Sequence, residues 1–394
     1  MKVLFIQDVG DVGGATNSLK ELIKKLHDKY NVEPIVLTSE YNSVNIYCKK
    51  NNFENYAINH RQTIIPSSKN KFKNYLKHRL STVLYLRNYF FNLIAVKKIK
   101  NKINFNEIDL IHTNVNRDSI GFMIAKKYHI KHIVHLREFG DLDYNCFSLK
   151  RNYVSYMNKY CDKYIAISNV IKDHWIKKGL DKNKIEVIYN GVDYMNIEKC
   201  NDFDTTKKIH CVFSGQISEN KGQIQVIKAL SLIDKTYRDR IKLDIYGTGD
   251  KAYVMYLKKI VEKNNLDKIV EFKGFNTNLR SELRNYDVGL VCSKSEAFGR
   301  VTVEYMISKI LVIATNCGAN VELIEDDKTG ILFEYNNIQE LSRVIMDVIL
   351  NYKNKQEIID LAYEMAMKKY TSDTNSKMIY NLYERVKKDE RNDA

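Results

Sequence analysis

Cysteine is sparse in this 394-residue chain and patterned for neither metal nor disulfide. There are seven, an odd number, at positions 48, 146, 161, 200, 211, 292 and 317, with no CxxC pair among them. This argues against a zinc or disulfide framework, and a reducing, cytoplasmic compartment is expected. Proline occurs only twice and glycine sixteen times, which argues against collagenous or low-complexity segments and makes each glycine informative. No stretch approaches the eighteen apolar residues of a membrane span. The opening MKVLFIQDVG has four apolar residues and then reaches an aspartate without a small-residue cleavage site, so no signal peptide is expected to begin there. What remains is ordinary globular composition, 44% hydrophobic and 28% charged, at a length that suggests two domains.

One further absence is local. From Asn55 to Asn106 there is no acidic residue, while eleven Lys or Arg fall in the same span. Removing them from the formal net charge of +15 leaves about +4 on the rest of the chain, so one segment is basic rather than the whole protein. The segment also carries Phe72, Leu76, Leu80, Val83, Leu84, Phe90, Phe91, Leu93, Ile94 and Val96. Cations interleaved with aromatics point to an acidic surface partner, with anionic lipid or a lipid-linked phosphate ahead of nucleic acid. A core helix with solvated lysines fits the same residues, and both readings stay open here.

Strand and helix patterns alternate almost from end to end, with no internal repeat. Lys2–Ile6 reads as a buried strand, and Gly13-Gly14 leads into a helix carrying Leu19, Leu22, Ile23 and Leu26. Further strands are expected at 32–37, 110–112, 132–135, 164–167 and 185–188. A charged, irregular stretch to Lys208 separates a second series with strands at 209–214, 242–246, 269–272, 287–292, 311–314 and 330–333. Strands joined through helices imply right-handed βαβ units, hence two doubly wound parallel sheets facing a cleft. The domains expected are residues 1–200 and 201–369, with a closing helix at about 370–394 that packs back on the first.

Chemistry concentrates at the predicted strand ends of the second series. In Ser295-Glu-Ala-Phe-Gly-Arg-Val-Thr-Val-Glu304, seven residues separate Glu296, in a loop after a strand, from Glu304, one turn into the next helix. Gly299 near that helix start suits the approach of an anion such as a diphosphate. A loop carboxylate beside it can accept hydrogen bonds from sugar hydroxyls. Phe213-Ser-Gly-Gln-Ile-Ser-Glu-Asn-Lys-Gly222 places the Lys221 ammonium beside another helix start. Gly247-Thr-Gly249 and Lys273-Gly-Phe275 follow the next two strands. Singly each of these is a turn; together they describe a nucleotide-diphosphate pocket. Asp141/Asp143 and Asp202/Asp204 have DxD spacing, but neither directly follows a strand of the donor half, so both are read as structural or solvated and no metal is expected.

These residues resemble the retaining glycosyltransferases of family 4, which have the two-domain GT-B fold. The resemblance covers essentially the whole chain and is carried by Gly13-Gly14, His135, Tyr189-Asn-Gly-Val-Asp193, Gly215 to Gly222, Tyr246-Gly-Thr-Gly249, Gly274-Phe275 and the Glu296/Glu304 pair. It implies a hexosyltransferase-type enzyme with Glu296, His135 and Lys221 as catalytic residues. Glu296 would hold donor sugar hydroxyls, Glu304 the ribose, and Lys221 the diphosphate, while Phe275 would border the base. Gly14, Gly215, Gln216, Gly247, Gly249, Phe298, Gly299 and Arg300 would complete the donor site. The family usually has Arg where this chain has Gln216, so either Lys221 and Arg300 carry more of the phosphate charge or Gln216 supplies a neutral hydrogen bond. Arg137 and Glu138 either touch acceptor or pair with each other on the surface. His135-Leu-Arg-Glu-Phe-Gly140 is similar to a variant among members that build bacterial surface polysaccharide such as capsule.

The implied partners are a nucleotide sugar, UDP-linked by the family's habit, and a glycan or lipid-linked glycan; no cofactor and no nucleic acid are expected. The implied location is the inner face of the plasma membrane, with residues 69–102 against anionic lipid. Two other classes compete. An NAD-dependent oxidoreductase would need GxGxxG after the first strand, which Gly10, Gly13 and Gly14 do not give. A basic membrane- or RNA-docking scaffold would leave the second domain's strand-end residues unexplained.

Overall fold

The structure is a computed structural model, and it describes residues 1–7, 13–68, 70–117, 119–194 and 208–389. The chain forms two compact units: residues 1–191 with 372 onward, and residues 192–371. The boundary expected at 200/201 and the Asp202/Asp204 pair lie outside the described residues.

Among the described residues unit 1 has nine strands: β1 (Lys2–Gln7), β2 (Glu33–Thr38), β3 (Glu54–Ala57), β4 (Ile64–Pro66), β5 (Leu110–Thr113), β6 (Lys131–Leu136), β7 (Cys146–Ser148), β8 (Lys163–Ala166) and β9 (Ile185–Val187). Seven form one parallel sheet in the order β3-β2-β1-β5-β6-β8-β9, and β4 pairs with β7 antiparallel as a separate ribbon. A parallel sheet covered on both faces needs strands that are apolar throughout. Val3, Leu4, Phe5 and Ile6 are all buried, alternate residues facing opposite layers. One layer is completed by the last helix, Ser372–Lys388, whose Ile379, Leu382, Tyr383 and Val386 join Leu19, Leu22, Ile23 and Leu26 of the helix Gly14–Tyr30.

Unit 2 has β10 (Ile209–Ser214), β11 (Ile241–Tyr246), β12 (Val270–Gly274), β13 (Val288–Val291), β14 (Leu311–Thr315) and β15 (Ile331–Phe333). They form one parallel sheet in the order β12-β11-β10-β13-β14-β15. The order reverses between β10 and β13, and in such sheets ligands bind beyond the carboxyl ends of the strands at that switch. Among the features that went unread in the sequence are strand β3, the helices Ser43–Lys50 and Asn169–Lys177, and the β4–β7 ribbon. All are short, and Glu54–Ala57 lies at a sheet edge with no buried side chain to mark it.

Candidate functional site

In unit 2 the loops after β10 and β13 close on each other at the switch point. Lys294 N–H donates to the Asn220 carbonyl at 2.8 Å, and Gln225 Nε2 donates to the Cys292 carbonyl at 2.8 Å. Gly222 makes this approach possible, since its φ is +75° and a Cβ there would stand 2.2 Å from the Cys292 oxygen. The loop after β14 supports the other side. Gly318, with φ +58°, lies so close under Glu296 that a Cβ would meet its backbone N at 2.5 Å and O at 2.4 Å, and Ala319 N–H donates to that oxygen at 2.8 Å.

The result is a fixed carboxylate. Glu296 accepts from Lys221 Nζ at 2.6 Å on Oε1 and 3.2 Å on Oε2, and from Ser293 Oγ at 3.3 Å. Lys221 therefore reaches across the switch point from the β10 loop to the β13 loop. Gly299, at φ +85°, caps the helix Arg300–Ile307, and Arg300 Nε donates to Glu304 Oε1 one turn along at 3.1 Å. Arg280, from the short helix Leu279–Glu282, donates to the same Oε1 at 3.0 Å. Both guanidinium groups thus use one oxygen of Glu304, and the carboxylate borders a recess also lined by Asp193, Tyr194, Arg280 and Ser308. Beneath lies the buried Tyr305, whose hydroxyl accepts from Ser214 N–H at 2.9 Å at the end of β10.

The remaining residues expected on the donor side divide by environment. Phe275 is 63% exposed after β12, and Gln216 is exposed, with its carbonyl accepting from Gln223 Nε2 at 2.9 Å. Gly247 and Gly249 pack their Cα atoms against the Gly215 and Ile217 carbonyls, where any Cβ would collide. Phe298 differs from the rest: it is buried with its ring edge-on to Tyr370, so its side chain is part of the packing of unit 2 and only its backbone is left to meet a ligand.

In unit 1 the residues expected to be functional lie after β1 and at the end of β6. Gly13 and Gly14 are exposed at the start of their helix, and a Cβ at either would meet nothing within 4 Å among the described residues. His135 is fully buried. Its Nδ1 shares a hydrogen with His112 Nε2 at 3.2 Å, His112 Nδ1 is hydrogen-bonded to the Tyr383 hydroxyl, and His135 Nε2 has no partner among the described residues. Burial, reinforced by the nearby Arg137, drives both imidazoles well below the usual histidine range, so the pair is neutral at pH 7.

Arg137 and Glu138 do not pair with each other, and neither is on the surface. Arg137 donates to Asn114 Oδ1 at 2.8 Å and Asn190 Oδ1 at 2.6 Å, while Glu138 receives a two-pronged ion pair from Arg117. The reason is burial: charges taken from water require fixed partners, and these two find theirs on other segments. Desolvation still raises the Glu138 carboxyl above its ordinary range against the pull of Arg117. Glu138 also borders an open recess with Asn116, Phe139, Lys150, Trp175 and Lys178. Of the DxD pairs, Asp141 binds Lys178 at 2.9 Å and His174 at 3.0 Å, and Asp143 accepts from Phe139 N–H at 2.8 Å.

Two parallel sheets, of seven and six strands, define a doubly wound α/β architecture of the kind that takes ligands beyond its strand ends. The same fold is found in the structure titled a complex of Anabaena Alr3699/HepE with UDP, with TM-score 0.79 over 98% of this chain and 100% of that one at 22% identity. The family model "Glycosyltransferase Family 4" matches residues 12–195 and "Glycosyl transferases group 1" matches residues 196–365. The chain therefore belongs to the family-4-type glycosyltransferases with the GT-B fold and is a glycosyltransferase. It is similar to an uncharacterised glycosyltransferase of Methanocaldococcus jannaschii, 27% identical over 91% of this chain and 90% of that protein. It is also similar to a poly(ribitol-phosphate) alpha-N-acetylglucosaminyltransferase of Staphylococcus aureus, 24% identical over 66% of this chain and 51% of that protein. The oxidoreductase and scaffold readings are not favoured by these likenesses.

Proposed function

We propose that the enzyme moves a hexose from a UDP-sugar to a sugar hydroxyl on a lipid-linked polysaccharide precursor, with retention of anomeric configuration. The observation that carries the donor side is the Lys221–Glu296 pair fixed at the unit 2 switch point, beside the Gly299 helix start and Arg300. A diphosphate there gains the Lys221 ammonium, the Arg300 guanidinium and the helix N-terminus, which meet the leaving-group charge without a metal or another cofactor in this reading. As the diphosphate takes over Lys221, Glu296 is left to accept hydrogen bonds from the donor sugar. Glu304 offers its second oxygen to the ribose, and exposed Phe275 offers a face to the base. The acceptor side is assigned to unit 1, at the recess bordered by Glu138 and Trp175. His135 keeps its unpartnered Nε2 for a substrate hydroxyl, and the bare Gly14 leaves room for close approach.

With Glu296 engaged on the sugar, no carboxylate is assigned as a covalent nucleophile. The acceptor oxygen bonds to the anomeric carbon on the face from which the phosphate oxygen departs, and that oxygen receives the acceptor's proton. The likeness to a protein solved with UDP and to a transferase acting on poly(ribitol-phosphate) supports this donor and this acceptor class. A thermal-shift panel of UDP-, GDP- and dTDP-sugars tests it: the true donor at a hundred times its Kd stabilises the native state by about 2.7 kcal/mol. Stabilisation by a GDP-sugar alone would replace the assigned base, and an inverted product anomer by NMR would remove retention.

A further inference from the structure

The helices Lys71–Arg79 and Ser81–Lys100 expose apolar residues on the face turned away from the core. The longer helix turns Asn88, Asn92, Ala95, Val96 and Ile99 inward at three- and four-residue spacing. The two asparagines are held by backbone groups: Asn92 Nδ2 donates to the Arg61 carbonyl at 2.8 Å, its Oδ1 accepts from Arg61 N–H at 2.8 Å, and Asn88 Nδ2 donates to the Gln62 carbonyl at 3.1 Å. The opposite face, which a soluble helix would make polar, presents Val83, Leu86, Phe90, Leu93 and Ile94 at the same spacing. Phe72 and Leu76 continue the apolar exposure on the shorter helix, and the backbone ladder crosses the junction, with Leu80 N–H donating to Leu76 and Leu84 N–H to Leu80, both at 2.9 Å. Nine of the 21 large apolar side chains exposed in the described chain lie between Phe72 and Ile94. Single exposed apolar residues are ordinary, but such a concentration marks an interaction surface.

Charge identifies the partner. Lys71, Lys73, Arg79, Arg87, Lys97, Lys98, Lys100 and Lys102 are exposed around this face, no acidic residue occurs from 55 to 106, and none of these cations forms an ion pair within the described residues. Lys69 lies outside the described residues. No described helix is long and apolar enough to cross a membrane. An apolar stripe bordered by unpaired cations suits a surface that is apolar below and anionic above.

We infer that residues 71–102 dock the protein flat on an anionic lipid bilayer, with Phe90, Leu93 and Ile94 entering the acyl boundary and the lysines holding headgroup phosphates. This goes beyond the transferase reading but gives it a place, since a lipid-linked acceptor lies at that boundary. Vesicle co-sedimentation of the full chain tests it without any activity readout, so its failure is separate from failure of the donor assignment. Phosphatidylcholine vesicles containing phosphatidylglycerol should pellet the protein, and phosphatidylcholine alone should not. Combined Lys97→Glu, Lys98→Glu, Lys100→Glu and Lys102→Glu should cut anionic-vesicle affinity more than about tenfold. Phe90→Ser with Leu93→Ser, both outward-facing, should do so with an unchanged melting temperature. Equal pelleting with both lipids, or retention after the four reversals in low salt, overturns the inference. So does a self-associating species in sedimentation equilibrium that Phe90→Ser dissolves while wild type ignores vesicles, which would assign the face to a second copy.

Discussion

At the scale of single residues, the proposed donor site rests on three cations and two carboxylates drawn from the loops after β10 and β13 and from the helices Leu279–Glu282 and Arg300–Ile307. Glu296→Gln keeps the shape of the side chain but loses the charge that Lys221 faces. The expected outcome is a fold and a UDP affinity close to wild type with kcat reduced about 10²-fold, the size seen when one transition-state contact is removed. Steady-state kinetics with titration of UDP checks it, and an unchanged kcat would take Glu296 out of the reaction. Lys221→Ala should weaken UDP by roughly 1.5–3 kcal/mol, the range for a hydrogen bond to a charged group, and leave uridine almost unaffected, as calorimetry can measure. The glutamate pair was legible in the sequence because seven residues of spacing straddle a loop and a helix start. Arg280 was not: it sits in a four-residue helix, and only folding carries it to Glu304. For the same reason Arg137 and Glu138 read as a neighbouring pair, although each finds its partner far away in sequence, in Asn190 and Arg117.

The His112–His135 pair makes a pH prediction with a definite sign. Both imidazoles are held neutral in the folded chain and titrate near 6.5 when unfolded, so below that value the unfolded state binds more protons and stability falls with falling pH. Above it both states are neutral and the pair contributes no pH dependence. The loss should set in as pH falls through the unfolded value near 6.5. Denaturant melts of wild type against a His112→Gln/His135→Gln variant should show that this slope is shallower in the variant.

At the scale of elements, parallel strands were the easiest to read, because burial on both faces gives continuous apolar runs such as Val3–Ile6 and Leu311–Ala314. The helix Ser81–Lys100 resisted reading for a physical reason: apolar residues occupy both its faces, and the inward face is marked by asparagines. Asn92 is fully buried and bonds to Arg61 and to Ser119 Oγ, the latter at 3.0 Å. Asn92→Ala should therefore destabilise the chain by about 1–3 kcal/mol, since it removes a fully buried side chain and the partner of both half-buried backbone groups of Arg61, whereas Leu86→Ala on the outward face should change stability by under about 0.5 kcal/mol. Chemical denaturation of the two variants side by side provides the measurement.

At the scale of the whole molecule, the two sheets follow from the alternation of strand and helix patterns, but sequence order does not show that the last helix completes unit 1. Removing residues 372–394 would strip four buried apolar side chains from its core, a loss of roughly 6–12 kcal/mol that rivals the total stability of a domain. A chain ending at Thr371 should be insoluble or lack cooperative unfolding of unit 1, as circular dichroism of the purified fragment would show. The same helix imposes an order on biosynthesis. Unit 2 is continuous in sequence and has all its strands once Thr371 has left the ribosome, whereas unit 1, begun first, waits for Val386. At translation rates of about 5–20 residues per second, its half-built core and the greasy helix beside it stay incomplete for some 10–40 seconds after Gly191 is made. Unit 2 therefore has its full sequence 15 residues, about 1–3 seconds, before unit 1 does, the reverse of the usual order in which the first-made domain folds first.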